Sequence, residues 1–169
     1  MFYDGVISEL SKPLDAGRVL VRSQAGQKLF YIEGWWAIRE ANRIFGFGNW
    51  ERETLVMEHV SSEQNDRGTN LIGYRALVKV TVYPDDRNAH SVIRTGSGFG
   101  IGASQSLGDA HESGIKGAET DAMKRALVTF GNPFGLSLYG KKKPDVSGDV
   151  ESDMKLSSSR GASARGNPL

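Results

Sequence analysis

The sequence predicts an α+β domain: a helix, a three-stranded antiparallel meander and a long closing helix, with the sheet packed on that helix. Three observations carry this. Leu71 to Tyr83 alternates, with Tyr74, Ala76, Val78, Val80 and Val82 on one side and Arg75, Lys79 and Thr81 on the other; this is the two-residue period of a half-buried strand. Trp50 to Val60 reads as a partner strand, joined through the polar segment SSEQNDRGTN with its Asp-Arg-Gly and Asn turn chemistry. Leu107 to Phe130 places Ile115, Ala118, Ala122, Ala126 and Leu127 on one helical stripe.

The remaining elements follow in order. Phe2 to Leu10 is a short helix stopped by Pro13. Trp35 to Phe45 is a helix with Trp35, Ile38, Ala41 or Asn42, and Phe45 on one face; Arg39, Glu40 and Arg43 lie mainly off it. Gly46 and Gly48 end it. Pro84-Asp85-Asp86 turns the chain into a third strand, His90 to Thr95, and the run GSGFGIG leads into the long helix. Its glycines are expected to permit unusual backbone angles and a close backbone crossing. On the long helix Glu112–Lys116 and Asp121–Arg125 are i,i+4 pairs worth ~0.2–0.5 kcal/mol each if exposed. Gly114, Gly117, Ala118 and Ala122 allow a sheet to approach closely, and Met123, Leu127 and Phe130 are assigned to the core. Past Tyr139 the pattern breaks. Residues 1–143 are read as the folded domain and 144–169 as a disordered Ser/Gly-rich tail, too poor in large apolar side chains to offset ~1–2 kcal/mol of ordering entropy per residue.

Composition narrows the function. At 169 residues the chain fits one domain plus a tail. No apolar run approaches membrane-spanning length, and Met1 to Ser11 carries Asp4 and Glu9 without a basic leader, so no signal peptide is expected. Absence of cysteine excludes disulfides, thiolate zinc sites and cysteine nucleophiles, and an intracellular setting is expected. Residues 141–169 hold six Lys or Arg and four acids, which leaves 15 basic and 16 acidic side chains in 1–140. Composition alone therefore does not argue for a nucleic acid. A DNA-binding charge must be gathered locally on one face.

Catalytic motifs are thin. Gly98-x-Gly100-x-x-Ala103 satisfies a dinucleotide fingerprint only in outline, because a hairpin meander precedes it and no strand follows the helix. Gly135-x-x-x-x-Gly140-Lys141 resembles a P-loop, but Lys142 stands where a magnesium-binding hydroxyl belongs. His59, His90 and His111 are far apart in sequence and lack metal-ligand spacing; Asp85-Asp86 reads as a solvated turn pair. No enzyme, cofactor or metal is expected. The informative segment is Lys116 to Gly140. Lys124-Arg125 adjoin on the long helix with Lys116 two turns earlier. They form either a solvated helix face or a phosphate-binding one, with a point charge and a planar fork.

Several motifs, in order, now show a resemblance. Tyr31-Ile-Glu-Gly34, Ala41-Asn42, Phe45-Gly46, Gly48-Asn49-Trp50, Gly98-Phe-Gly100, Glu119 to Leu127, Phe130-Gly131-Asn132 and Gly135 keep order and spacing across about Leu20 to Tyr139. In these the chain closely resembles the Rad-fifty-two family of single-strand DNA-annealing proteins, particularly its short bacterial and phage members. The resemblance implies a βββα core assembled into a closed homo-oligomeric ring that holds single-stranded DNA in a basic groove and anneals it without ATP. It implies backbone contacts by Lys124, Arg125 and, across a one-residue gap, Arg22; Lys116, Arg39 and Arg43 are further candidates. The setting it implies is the cytoplasm of a bacterial or phage-infected cell, at the nucleoid. Sugar–phosphate contacts leave base edges free to find a complement, and a ring repeats a few cations into a continuous stripe. A protective binder of single-strand ends that does not anneal is the alternative.

Departures from the family pattern matter. Val128 stands where members often carry another basic residue, and Gln105 and Ser106, followed by Asp109, stand where eukaryotic members carry lysines. A second, outer DNA site therefore has only Arg67 in the hairpin loop to support it. The long C-terminal region of eukaryotic members has no counterpart, so a single-strand-binding protein or a recombinase is at most a partner of the tail.

Overall fold

The computed structural model describes residues 2, 4–24, 26–84, 90–139 and 146–147. The Asp85-Asp86 turn, Gly140 to Lys143, and the tail apart from Val146–Ser147 lie outside the described residues.

Helix α1 (Asp4–Ser11) buries Val6 and Leu10. A short strand β1 (Leu14–Asp15) follows, and Asp15 Oδ1 then accepts from Gly17 N at 2.9 Å to start a single 3-10 turn, Ala16–Arg18. Next comes a hairpin absent from the sequence-based expectation: β2 (Leu20–Gln24) pairs antiparallel with β3 (Gln27–Tyr31), so that Leu20 faces Tyr31 and Arg22 faces Leu29. Helix α2 (Gly34–Phe45) ends at Gly46, whose φ of 88° lets its N–H reach back to Asn42 O.

The predicted stripe on α2 is rotated. Ala37, Glu40, Ala41, Ile44 and Phe45 are buried, whereas Trp35 remains 52% exposed. Glu40 tolerates burial because Arg43 donates to both of its carboxylate oxygens, at 2.8 to 3.2 Å, and reaches Glu9 at 2.6 Å. Ala37, Ala41, Ile44 and Phe45 form the inward apolar stripe, and the neighbouring cation lets Glu40 be buried beside it.

Strands β4 (Trp50–Gln64), β5 (Asn70–Val82) and β6 (Val92–Ser104) form an antiparallel sheet in that order. Asn65 Oδ1 accepts from the N–H groups of Arg67 and Thr69, both at 3.0 Å, and Gly68 takes a φ of 75° in the turn. The connection is thus shorter than predicted, because pairing continues to Gln64↔Asn70. Register shifts between Thr54 and Val56 and between His59 and Ser61 bend β4.

Helix α3 (Leu107–Val128) covers one face of this sheet. Ser106 caps it by accepting from Asp109 N at 3.3 Å. The third strand does not stop at Thr95 as predicted; it runs through GSGFGIG, pairing Gly96 with Val78 and Gly102 with Ile72. A Cβ on Gly98 would lie 2.2 Å from Ala122 N, and one on Gly102 only 1.7 Å from Ala110 O. The expected close crossing is therefore real. The expected unusual angles are not, since the described glycines with positive φ are at 26, 46, 68, 131 and 135. On α3 the buried stripe is Ala110, Gly114, Ala118, Ala122, Met123, Ala126 and Leu127. Ile115, predicted inside, is exposed because only the smallest side chains fit over the glycine face.

The 3-10 turns Asn132–Phe134 and Leu136–Tyr139 close the domain. Phe134 packs at one end of the core with Phe45 at 5.8 Å and Phe130 at 6.4 Å between ring centroids. Finally β7 (Val146–Ser147) runs parallel to β1.

Candidate nucleic-acid interface

Two elements distant in sequence bring cations to one aromatic ring. Arg22, on β2, holds its guanidinium carbon 5.6 Å from the Tyr31 ring centroid. Lys124, on α3, holds Nζ 5.6 Å from the same centroid and donates to Ile32 O at 3.3 Å. The hairpin carries Tyr31 back beside the helix, which is why a cation of β2 and one of α3 meet. Contacts of this kind are worth ~0.5–2 kcal/mol each and orient the cations.

Burial of Lys124 pushes its ammonium below the ordinary lysine range; Asp121 opposes this, while Arg22 and Arg125 add to it by repulsion. Three cations thus sit close together, with the Asp121 and Glu33 carboxylates offsetting part of their repulsion at Lys124. Arg125 donates through Nε to Asp121 Oδ2 at 2.9 Å, which pushes its pKa upward. The same oxygen accepts from Phe99 N at 3.3 Å, tying α3 to the edge strand β6.

The other candidate cations are distributed. Lys116 pairs with Glu112 on the exposed face of α3. Arg39 lies on α2 with its guanidinium carbon 5.2 Å from the Trp36 ring, and Arg18 lies over the same ring at 4.7 Å. Arg43 spends its donors on Glu9 and Glu40, which hold its pKa upward. Arg22, Lys124 and Arg125 thus come together, Arg39 joins Arg18, and Arg43 is committed within the fold. Arg67 sits in the turn between β4 and β5, its backbone N–H bonded to Asn65.

Sequence reasoning missed Tyr31 as the ring between two cations, and it missed Arg18. The Tyr-Ile-Glu-Gly run marked Tyr31 without assigning it a contact, and no local signal distinguished Arg18. The histidines also need correction. His59 and His111, far apart in sequence, have ring centroids 5.8 Å apart, and the Tyr74 hydroxyl lies 2.7 Å from His111 Nδ1. Among the described residues no third His, Asp or Glu joins them as a metal-holding group.

Fold and site together define a class: an α+β module that gathers cations from a hairpin and a helix around an aromatic ring, an arrangement suited to a polyanion. Residues 3–156 match the Rad52/22 family of double-strand break repair proteins, and the chain belongs to that family. It is 34% identical over 142 residues to the DNA repair and recombination protein RAD52 of Eremothecium gossypii, covering 82% of this chain and 31% of that protein. Against the DNA repair and recombination protein rad22 of Schizosaccharomyces pombe the identity is 35% over 136 residues, covering 79% of this chain and 28% of the relative. The Saccharomyces cerevisiae RAD52 is 33% identical over 142 residues, with 82% and 28% covered. The chain thus spans about a third or less of the length of these relatives.

Proposed function

We propose that this domain binds single-stranded DNA along its sugar–phosphate backbone and anneals complementary strands without ATP, as a ring of identical protomers serving recombination and double-strand break repair inside the cell. The observation that carries the proposal is the convergence of Arg22 and Lys124 on Tyr31, with Arg125 adjoining on α3. Three cations from two elements present charge to a backbone without demanding a base sequence. The relatives' names as DNA repair and recombination proteins support the biological setting.

Assembly is supported by the open face of the sheet. Phe99 is 50% exposed and Ile101 59%, and Val56, Val60 and Ile93 are exposed with them. Their side of the sheet is the one that α3 leaves uncovered. Apolar area of this kind is costly in a monomer and suits a partner protomer. Repetition around a ring would also join a few cations per protomer into one stripe, which resolves how a domain with nearly balanced charge holds a polyanion.

The test is an annealing time course of two complementary oligonucleotides, without ATP or magnesium, for the wild type and a Lys124→Ala/Arg125→Ala double variant. Acceleration by the wild type and its loss in a folded, assembled double variant is the expected result. Single-strand binding without acceleration would identify a protective binder instead. A folded double variant that anneals normally would sink the assignment.

A further inference from the structure

We propose that Trp35 is a stacking platform for one unpaired base of the bound strand, so that each protomer grips DNA by a base as well as by phosphates. The proposal rests on the single-strand-binding reading above and names a contact beyond its cations. Trp35 is 52% exposed on the first turn of α2. It is nevertheless fixed in orientation. Its Nε1 donates to Glu33 Oε2 at 2.6 Å, and its ring stands edge-on to Trp36 at 5.8 Å with an 87° interplanar angle.

Trp36 is itself clamped by Arg18 at 4.7 Å and Arg39 at 5.2 Å. A large aromatic surface left in water costs free energy, and holding it rigid costs side-chain entropy as well. Both costs make sense where a flat apolar ligand arrives.

The surroundings choose the ligand. Ile32 and Glu33 link Trp35 to the cationic site: Lys124 donates to Ile32 O, and the Glu33 carboxylate acts on the Lys124 ammonium. Arg18 and Arg39 lie over the ring of the adjoining Trp36. Asp15 sits 3.8 Å from Arg18, and Arg39 stands with its guanidinium carbon 5.2 Å from the Trp36 ring. An exposed indole whose chain neighbours Ile32 and Trp36 each meet cations suits the alternation of base and phosphate in a single strand. Stacking is indifferent to base identity because every base has a flat face, so it leaves annealing free of sequence preference.

The experiment compares an oligothymidylate with an equally long, equally charged oligomer of abasic residues, read by intrinsic tryptophan emission and by competition. The wild type should be quenched by the oligothymidylate and not by the abasic oligomer. Trp35→Phe should lose the quench and keep most affinity. Trp35→Ala should lose roughly five- to hundredfold in affinity for the oligothymidylate and little for the abasic oligomer. Equal quenching by both oligomers, or a Trp35→Ala variant that binds as tightly as wild type, would overturn the proposal. A fall in assembly size with unchanged affinity per protomer would instead put Trp35 in a protomer contact and overturn it too. If the wild type binds neither oligomer, the single-strand-binding reading fails and this contact fails with it; if only the stacking idea is wrong, the Lys124→Ala/Arg125→Ala variant still loses binding.

Discussion

Lys124 Nζ donates to the carbonyl oxygen of Ile32 across 92 positions of chain. One hydrogen bond thereby joins the long helix to the segment between the β2–β3 hairpin and α2, and it holds the ammonium over Tyr31. The cation is partly withdrawn from water and feels the repulsion of Arg22 and Arg125, which hold its pKa below the ordinary lysine value.

That relationship sets a pH dependence. In the folded protein Lys124 titrates below 10.5, chiefly through burial. Its charged form therefore carries a folding cost at lower pH, and folding stability rises as pH climbs through the lowered value toward 10.5. DNA binding runs the opposite way, because a phosphate favours the charged form. Affinity should fall across the same alkaline window, with proton uptake on binding seen as a buffer-dependent calorimetric enthalpy. Lys124→Arg should flatten both effects.

Salt should weaken single-strand binding steeply. The log–log slope is expected near 0.7 per neutralised phosphate, and Arg22→Ala should lower it by about that amount. Fluorescence anisotropy over a salt series measures this. An unchanged slope would remove Arg22 from the interface.

Arg43→Ala should act on the fold. It leaves the buried Glu40 carboxylate without its partner, a loss of roughly 1–3 kcal/mol. Thermal denaturation should register the loss, and annealing below the transition should stay near wild type. Glu40→Gln together with Arg43→Ala should recover part of it.

Gly98→Ala should be damaging out of proportion to its size. The added methyl would meet the Ala122 N and Ala118 O backbone atoms at 2.2 and 2.6 Å, where neither helix nor strand can yield cheaply. Overpacking of this kind costs ~1–3 kcal/mol or more. Gly48→Ala, with nothing within 4 Å, is the matched control and should change stability little.

Phe99→Asp should disrupt assembly. Phe99 stands on the uncovered face of the sheet, and a charge there opposes burial against another protomer. Light scattering should show smaller particles while far-ultraviolet circular dichroism is retained. Unaltered particle size would remove this face from the interface.

Much of this was legible in the chain. The alternation through Tyr74 to Val82 placed the central strand and its inner face correctly, since a two-residue period needs no partner to be read. The Glu112–Lys116 and Asp121–Arg125 pairs stand as helical spacing predicts. Glycine's poor strand propensity hid the extension of the third strand; the helix crossing it supplies what propensity lacks. On α2 the bulky Trp35 and Ile38 suggested one face, whereas the stripe of Ala37, Ala41, Ile44 and Phe45 is the one that turns inward.

By itself the sequence determined the order of elements, the small-residue face of the long helix and the adjacency of Lys124 and Arg125, because each depends on residues within a few turns of one another. The tertiary structure alone decided that Arg22 shares Tyr31 with Lys124, that Arg43 is spent on Glu9 and Glu40, and that Trp35 stays exposed beside Trp36. The meeting of Lys124 with Tyr31 and of Arg43 with Glu9 spans chain separations that no local period encodes. The physical reason is that side chains from separate elements meet only once those elements are packed, as where Lys124 of α3 reaches Ile32 O beyond the hairpin.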